Sequence, residues 1–150
     1  MSRLLKLIVV LVLGFCFAAP AVAGWAVYKS ASSKSKEKHT LKFDKNPAGP
    51  IQAWFILRGT TKGVFASKLP IFKIDNNPVR DLRNVKNRKV RENNWVRWEI
   101  DDGKGAPDAA LVEFMNGKSV VFRYYMPDGE IRETTFLLEG LREAIGELLK

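Results

Sequence analysis

Hydrophobic and polar positions alternate along most of the chain from Trp25 to Leu137, in short runs separated by turn residues. In Asn94–Ile100, Val96, Trp98 and Ile100 fall on one side and Trp95, Arg97 and Glu99 on the other. That two-residue period predicts a strand with one covered face. Lys118–Met126 repeats it, with Val120, Phe122, Tyr124 and Met126 opposite Val121, Arg123 and Tyr125. His39–Phe43, Leu69–Ile74 and Glu130–Leu137 read as further strands, and Gly24–Tyr28 as a short first one with Trp25 and Val27 on one face. Ile51–Leu57 is apolar throughout, the pattern of a central strand buried on both sides.

Turn chemistry divides these runs. Asn46–Pro50 is a breaker, Asp75-Asn76-Asn77-Pro78 a turn whose Asx side chains mimic backbone, and Pro127-Asp128-Gly129 a hairpin connection. Ala110–Met115 and Lys118–Met126 flank Asn116-Gly117. Both residues of that pair accept positive φ, so a type I′ hairpin is expected there. Asp101–Asp108 reads as an open loop, and Lys29–Lys38, rich in Ser and Lys, as a mobile arm with nothing to bury. Val79–Arg91 fits one or two helical turns, a short edge strand or a long loop. Gly140–Leu149 predicts an amphipathic helix with Leu141, Ile145 and Leu148 on its apolar stripe, and Leu137 or Leu138 entering the same core. The fold class expected is therefore mainly β: about seven to nine strands in an antiparallel β-sandwich or partly open barrel, with one C-terminal amphipathic helix.

Ahead of this body stands a different pattern. Arg3 and Lys6 precede the apolar run Leu7–Ala19, Pro20 interrupts it, and Ala21 and Ala23 occupy the −3 and −1 positions before Gly24. This is the arrangement of a cleavable signal peptide. It divides the chain into a leader over 1–23, a short strand and Ser/Lys-rich arm over 24–45, and a single β domain over 46–150 ending in a helix. The alternative is an uncleaved anchor over Leu7–Tyr28, long enough to span a bilayer and followed by Lys29, Lys34, Lys36 and Lys38, which resist translocation. Export places the protein in the periplasm or outside the cell; the anchor places it at the inner membrane.

Charge changes the picture. The net charge is +9, and Gly24–Trp98 carries 17 Lys and Arg against 5 Asp and Glu, whereas Glu99–Lys150 carries 6 against 11. A basic half and an acidic half either pair internally or leave a basic face aimed at a polyanion. The most suggestive cluster is Arg80, Arg83, Lys86, Arg88, Lys89 and Arg91, followed by Trp95 and Arg97. Cations interleaved with aromatics are how nucleic-acid binders are built. The leader points away from nucleic acid and toward the anions of the envelope: phospholipid headgroups, lipopolysaccharide and acidic glycans.

Candidate chemistry is sparse. The one cysteine, Cys16, lies in the leader, preceded by Phe15 where lipid attachment wants a small residue, so the cleaved chain has no thiolate. The one histidine, His39, lies at the end of the arm, which offers no rigid site for a nucleophile or for zinc. Asp101, Asp102 and Asp108 share a loop without EF-hand spacing. Glu99, Glu113, Glu130 and Glu133 are the carboxylates a hydrolase would draw on. The chain has neither a phosphate-cradling loop nor a dinucleotide fingerprint. No cofactor, no metal and no catalytic set are expected.

Trp25-Ala26-Val27 just beyond the cut, and Thr135-Phe136-Leu137-Leu138-Glu139-Gly140 followed by Ala144-Ile145, resemble the ends of small exported bacterial domains of the invasion-associated-locus-B type. The resemblance implies an envelope-associated β domain without established catalysis. Members usually carry cysteine pairs, which are missing beyond the leader here. The function class expected is a non-enzymatic envelope domain that binds a protein or an anionic membrane or glycan surface. The alternatives are a membrane-anchored β domain and a carboxylate-dependent hydrolase.

Overall fold

A computed structural model describes residues 25–27, 30–59 and 63–150. The leader, Cys16, the cut site Ala21–Gly24 and nearly all of the alternative anchor lie outside the described residues. Among those described, no helix is long and apolar enough to cross a membrane.

The described residues form two antiparallel sheets and two helices. Strands β1 (Ala26–Val27), β2 (Ala31–Lys34), β3 (Thr40–Lys45), β4 (Ile51–Ile56), β8 (Trp95–Asp101) and β7 (Lys89–Arg91) lie side by side in that order. The second sheet runs β10 (Ile131–Leu137), β9 (Ser119–Tyr125), β5 (Ile71–Ile74), β6 (Arg80–Asp81). The sheets face one another through aromatic rings. Phe55 of β4 stacks on Phe122 of β9 with centroids 4.1 Å apart, and Phe72 of β5 lies 5.5 Å from Trp98 of β8. Period-two alternation delivers these rings inward: Leu41 and Phe43, Ala53 and Phe55, Val96 and Trp98, Val120 and Phe122 are all buried. Neither sheet closes on itself, so the fold is a sandwich and not a barrel.

Helix α2 (Leu141–Leu148) packs on β1, β2 and β3 and buries Leu141 and Ile145 of the expected stripe together with Ala144, while Leu148 is only half-buried. Leu138, and not Leu137, turns into the core. Helix α1 (Ala109–Asn116) corrects the expected hairpin and adds a second helix to the one expected. Ala109-Ala110 are strong helix formers, and Leu111 and Phe114, one turn apart, fill the core where Phe43 and Phe72 meet Phe114 at 5.0 and 5.7 Å. Gly117 has φ −73°, so it serves no left-handed turn. It is small because a Cβ there would stand 2.5 Å from Ile74 Cγ2 and 2.9 Å from Leu138 Cδ1. The connection with two positive-φ residues falls instead at Glu92-Asn93 (φ 50° and 49°), joining β7 to β8.

The Ser/Lys-rich stretch is not a mobile arm. Residues 31–34 form β2, paired with β3, and Ala31 and Ser33 face inward. Small side chains are what that position needs, because α2 packs directly against it. The boundary expected after residue 45 therefore runs through the middle of a sheet.

Candidate functional site

The six-stranded sheet has an inner face against the core and an outer face toward solvent. Alternation fixes which residues occupy the outer one. Antiparallel register places Ser32, Lys42, Trp54, Arg97 and Lys89 opposite one another, strand by strand, in one row across β2, β3, β4, β8 and β7. The adjacent row is Lys34, Thr40, Ile56, Trp95 and Arg91. Both helices pack on the inner side, through side chains that join the buried cluster of Ala31, Leu41 and Phe43. Lys34, Lys89 and Arg91 are exposed, and Lys42, Trp54, Trp95 and Arg97 half-buried.

The two tryptophans organise this face. Their ring centroids are 5.1 Å apart at an interplanar angle of 32°. Lys42 Nζ lies 4.9 Å from the Trp54 ring centre, the Arg97 guanidinium 5.5 Å from the same ring, and the Arg91 guanidinium 5.8 Å from Trp95. Each cation is thus within reach of the negative face of an indole. Trp54 Nε1 and Arg97 Nε are sealed from solvent and have no hydrogen-bond partner among the described residues. Arg58 Nε, 3.5 Å from Thr40 Oγ1, brings a further guanidinium to the margin. The acids of this face, Asp44 and Glu99, stand in the next row, where Asp44 pairs with Lys42 at 3.4 Å and Glu99 accepts from Asn87.

The cations singled out in the sequence separate into two groups. Arg80 donates to both oxygens of Glu113 at 2.7 and 2.9 Å, which joins β6 to α1 and raises the guanidinium's already high pKa. Arg83 closes on Asp81 and holds that carboxyl below its ordinary range. Arg88 donates to the carbonyls of Leu82 and Arg83 and folds the strap between β6 and β7. Lys86 is exposed on that strap, and its carbonyl accepts from Glu99 N–H. Lys89, Arg91, Trp95 and Arg97 come together on the outer face, and Lys89, Arg91 and Arg97 have no ion-pair partner among the described residues. Lys42 and Trp54, central to the face, were missed. The signal for Lys42 lay in the alternation of β3, whereas Trp54 sits in Ile51–Leu57, a run whose continuous apolar pattern reads as a strand buried on both sides.

The other candidates are accounted for locally. Asp101 is buried and its two carboxylate oxygens accept from Gly103 and Asp108 N–H, each at 2.7 Å, while Asp102 accepts from Lys104 N–H. These carboxylates fold their loop. No group of three metal-ligating side chains occurs among the described residues. Glu113, Glu130 and Glu133 are ion-paired with Arg80, Arg132 and Arg123.

His39 corrects its placement in a mobile arm. It is 4 % exposed at the start of β3. Its Nδ1 accepts from Arg58 N–H at 3.0 Å, which puts the ring proton on Nε2, 3.0 Å from Tyr124 Oη. Burial lowers its pKa; the Glu37 carboxylate opposes this and the Arg132 charge adds to it. These groups line an open polar cleft of about 440 Å³ at the end of the sandwich. The outer face of the four-stranded sheet is different again: a shallow groove of about 290 Å³ over Ile71, Val121 and Val79, with Ile131 and Leu137 more than half or half exposed nearby (57 % and 50 %).

Compared with known proteins, the chain matches no family model, no curated protein and no solved structure.

Proposed function

We propose that this is an exported, non-enzymatic binding domain of the cell envelope that docks on an anionic surface through the outer face of its six-stranded sheet. The observation that carries the reading is the gathering of Lys34, Lys42, Lys89, Arg91 and Arg97 on one uncovered face around Trp54 and Trp95. Strand pairing, and not sequence proximity, brings Lys42 to Arg97. Cations held against indoles lose less conformational freedom when a ligand arrives than free lysines would. Lys42 is shared with Asp44, whereas Lys34, Lys89, Arg91 and Arg97 have no ion-pair partner among the described residues, so their like charges add. The leader and the likeness of the chain's ends to invasion-associated-locus-B-type domains support an envelope location in the periplasm or outside the cell.

The binding half is tested by retention of the purified protein on dextran sulfate against uncharged dextran. Retention on the sulfated polymer alone, released by salt, is expected; equal retention on both refutes it. The export half is tested by the intact mass of protein from the envelope fraction, which is expected to begin at Gly24. A mass that includes residues 1–23 favours the membrane-anchored form.

A protein partner is the second reading. It is favoured by the apolar groove on the opposite face, with Val79 57 % exposed.

A further inference from the structure

Resting on that reading of the face, we propose that its ligand is a linear acidic polysaccharide lying across the strands. The row Lys42, Trp54, Arg97 places charge, indole and charge on three neighbouring strands, with Lys89 one strand further. Strands are about 4.8 Å apart, so the row from β2 to β7 spans roughly 19 Å. An acidic polysaccharide has the complementary order: a carboxylate, an apolar ring surface, another carboxylate. Ser32, at the end of the row, adds a hydroxyl suited to sugar oxygens.

Two other polyanions fit less well. A single-stranded nucleic acid needs ring faces free for base stacking. Here the Trp54 ring has Lys42 and Arg97 over it, Trp95 has Arg91, and the two indoles lie against each other. A bilayer is gripped by aromatic or aliphatic tips that reach past a polar rim. Trp54 and Trp95 are half-buried, and the sealed Nε1 of Trp54 turns away from any headgroup. Trp54 and Trp95 are half-exposed between the charges, which leaves room for a sugar ring laid edge-on.

The experiment is titration of the purified full chain with oligogalacturonates of increasing length, beside phosphatidylglycerol vesicles and oligothymidylate. Affinity for the oligogalacturonates is expected to rise with length until an oligomer crosses the face, then level off. Lys42→Gln and Lys89→Gln, at separate points of the row, are each expected to weaken the longest oligomer about fivefold and the shortest far less. Affinity independent of length, or variants that weaken all lengths equally, overturns the proposal. So does tighter binding of oligothymidylate. Binding of vesicles without oligogalacturonate overturns the glycan and leaves the anion-docking face standing. Binding of none of the three overturns both.

Discussion

The imidazole of His39 is fixed by two hydrogen bonds that demand opposite roles of its nitrogens. Nδ1 accepts from Arg58 N–H, and Nε2 faces Tyr124 Oη, while Phe55 and Tyr124 meet the ring edge-on. A second proton on Nδ1 would point at the Arg58 N–H, so the folded protein favours the neutral ring. A histidine whose pKa is lowered on folding stabilises the fold above its ordinary pKa of about 6.5 and loses that contribution as pH falls through the folded value. Glu37 works in a lower window, because the Thr134 hydroxyl keeps its carboxyl below the usual range. We therefore expect the urea midpoint to fall between pH 7.5 and 5.5, and the fall to be much smaller in His39→Gln. As this is the chain's one histidine, equal slopes in both proteins would contradict the assignment. None of this was legible from sequence, because a Ser/Lys-rich stretch ahead of His39 reads as solvated. Burial there depends on Tyr124, which lies 85 positions away.

Strands with a clean two-residue period were legible one by one: β3, β5, β8, β9 and β10 all fall where alternation put them. β6 and β7 lie in Val79–Arg91, which the pattern leaves open between helix, edge strand and loop, and two further elements differ from their pattern. The Ala110–Met115 run satisfies a strand pattern through Ala110, Val112 and Phe114 and a helical one through Leu111 and Phe114; over six residues neither period wins. What decides is tertiary: a helix puts Phe114 between Phe43 and Phe72, and lets Arg80 reach Glu113. Asn116-Gly117 then marks the helix end, and Gly117 is kept small by Ile74 and Leu138. β2 was hidden for the converse reason, since a strand that must admit a helix has small inner side chains and shows no hydrophobic signal. The C-terminal helix was legible because its stripe is strong, and it belongs to the core. Ile145 is fully buried, so Ile145→Ala is expected to cost about 2–5 kcal/mol. Chemical denaturation reads that directly, and a midpoint equal to that of the unaltered protein would make α2 a tail.

At the scale of the molecule, the basic and acidic halves neither cancel nor stand apart. Arg80 crosses to Glu113, and Arg123 and Arg132 pair within the acidic half, whereas Lys89, Arg91 and Arg97 are carried to a face whose acids, Asp44 and Glu99, keep to its margin. Half of the candidate site was thus legible in sequence as a run of cations before a Trp. The other half, Lys42 and Trp54, belongs to strands distant in the chain and appears only once β3, β4 and β8 are paired. On the proposed reading, placement and not net charge gives the outer face its hold on anions. The measurement is salt-dependent retention on dextran sulfate of two triple variants with the same net charge. One carries Lys42→Gln, Lys89→Gln and Arg91→Gln on the outer face; the other carries Lys73→Gln, Lys104→Gln and Lys118→Gln elsewhere on the surface. The first is expected to elute at much lower salt than the unaltered protein and the second close to it. Identical elution of the two variants would contradict it.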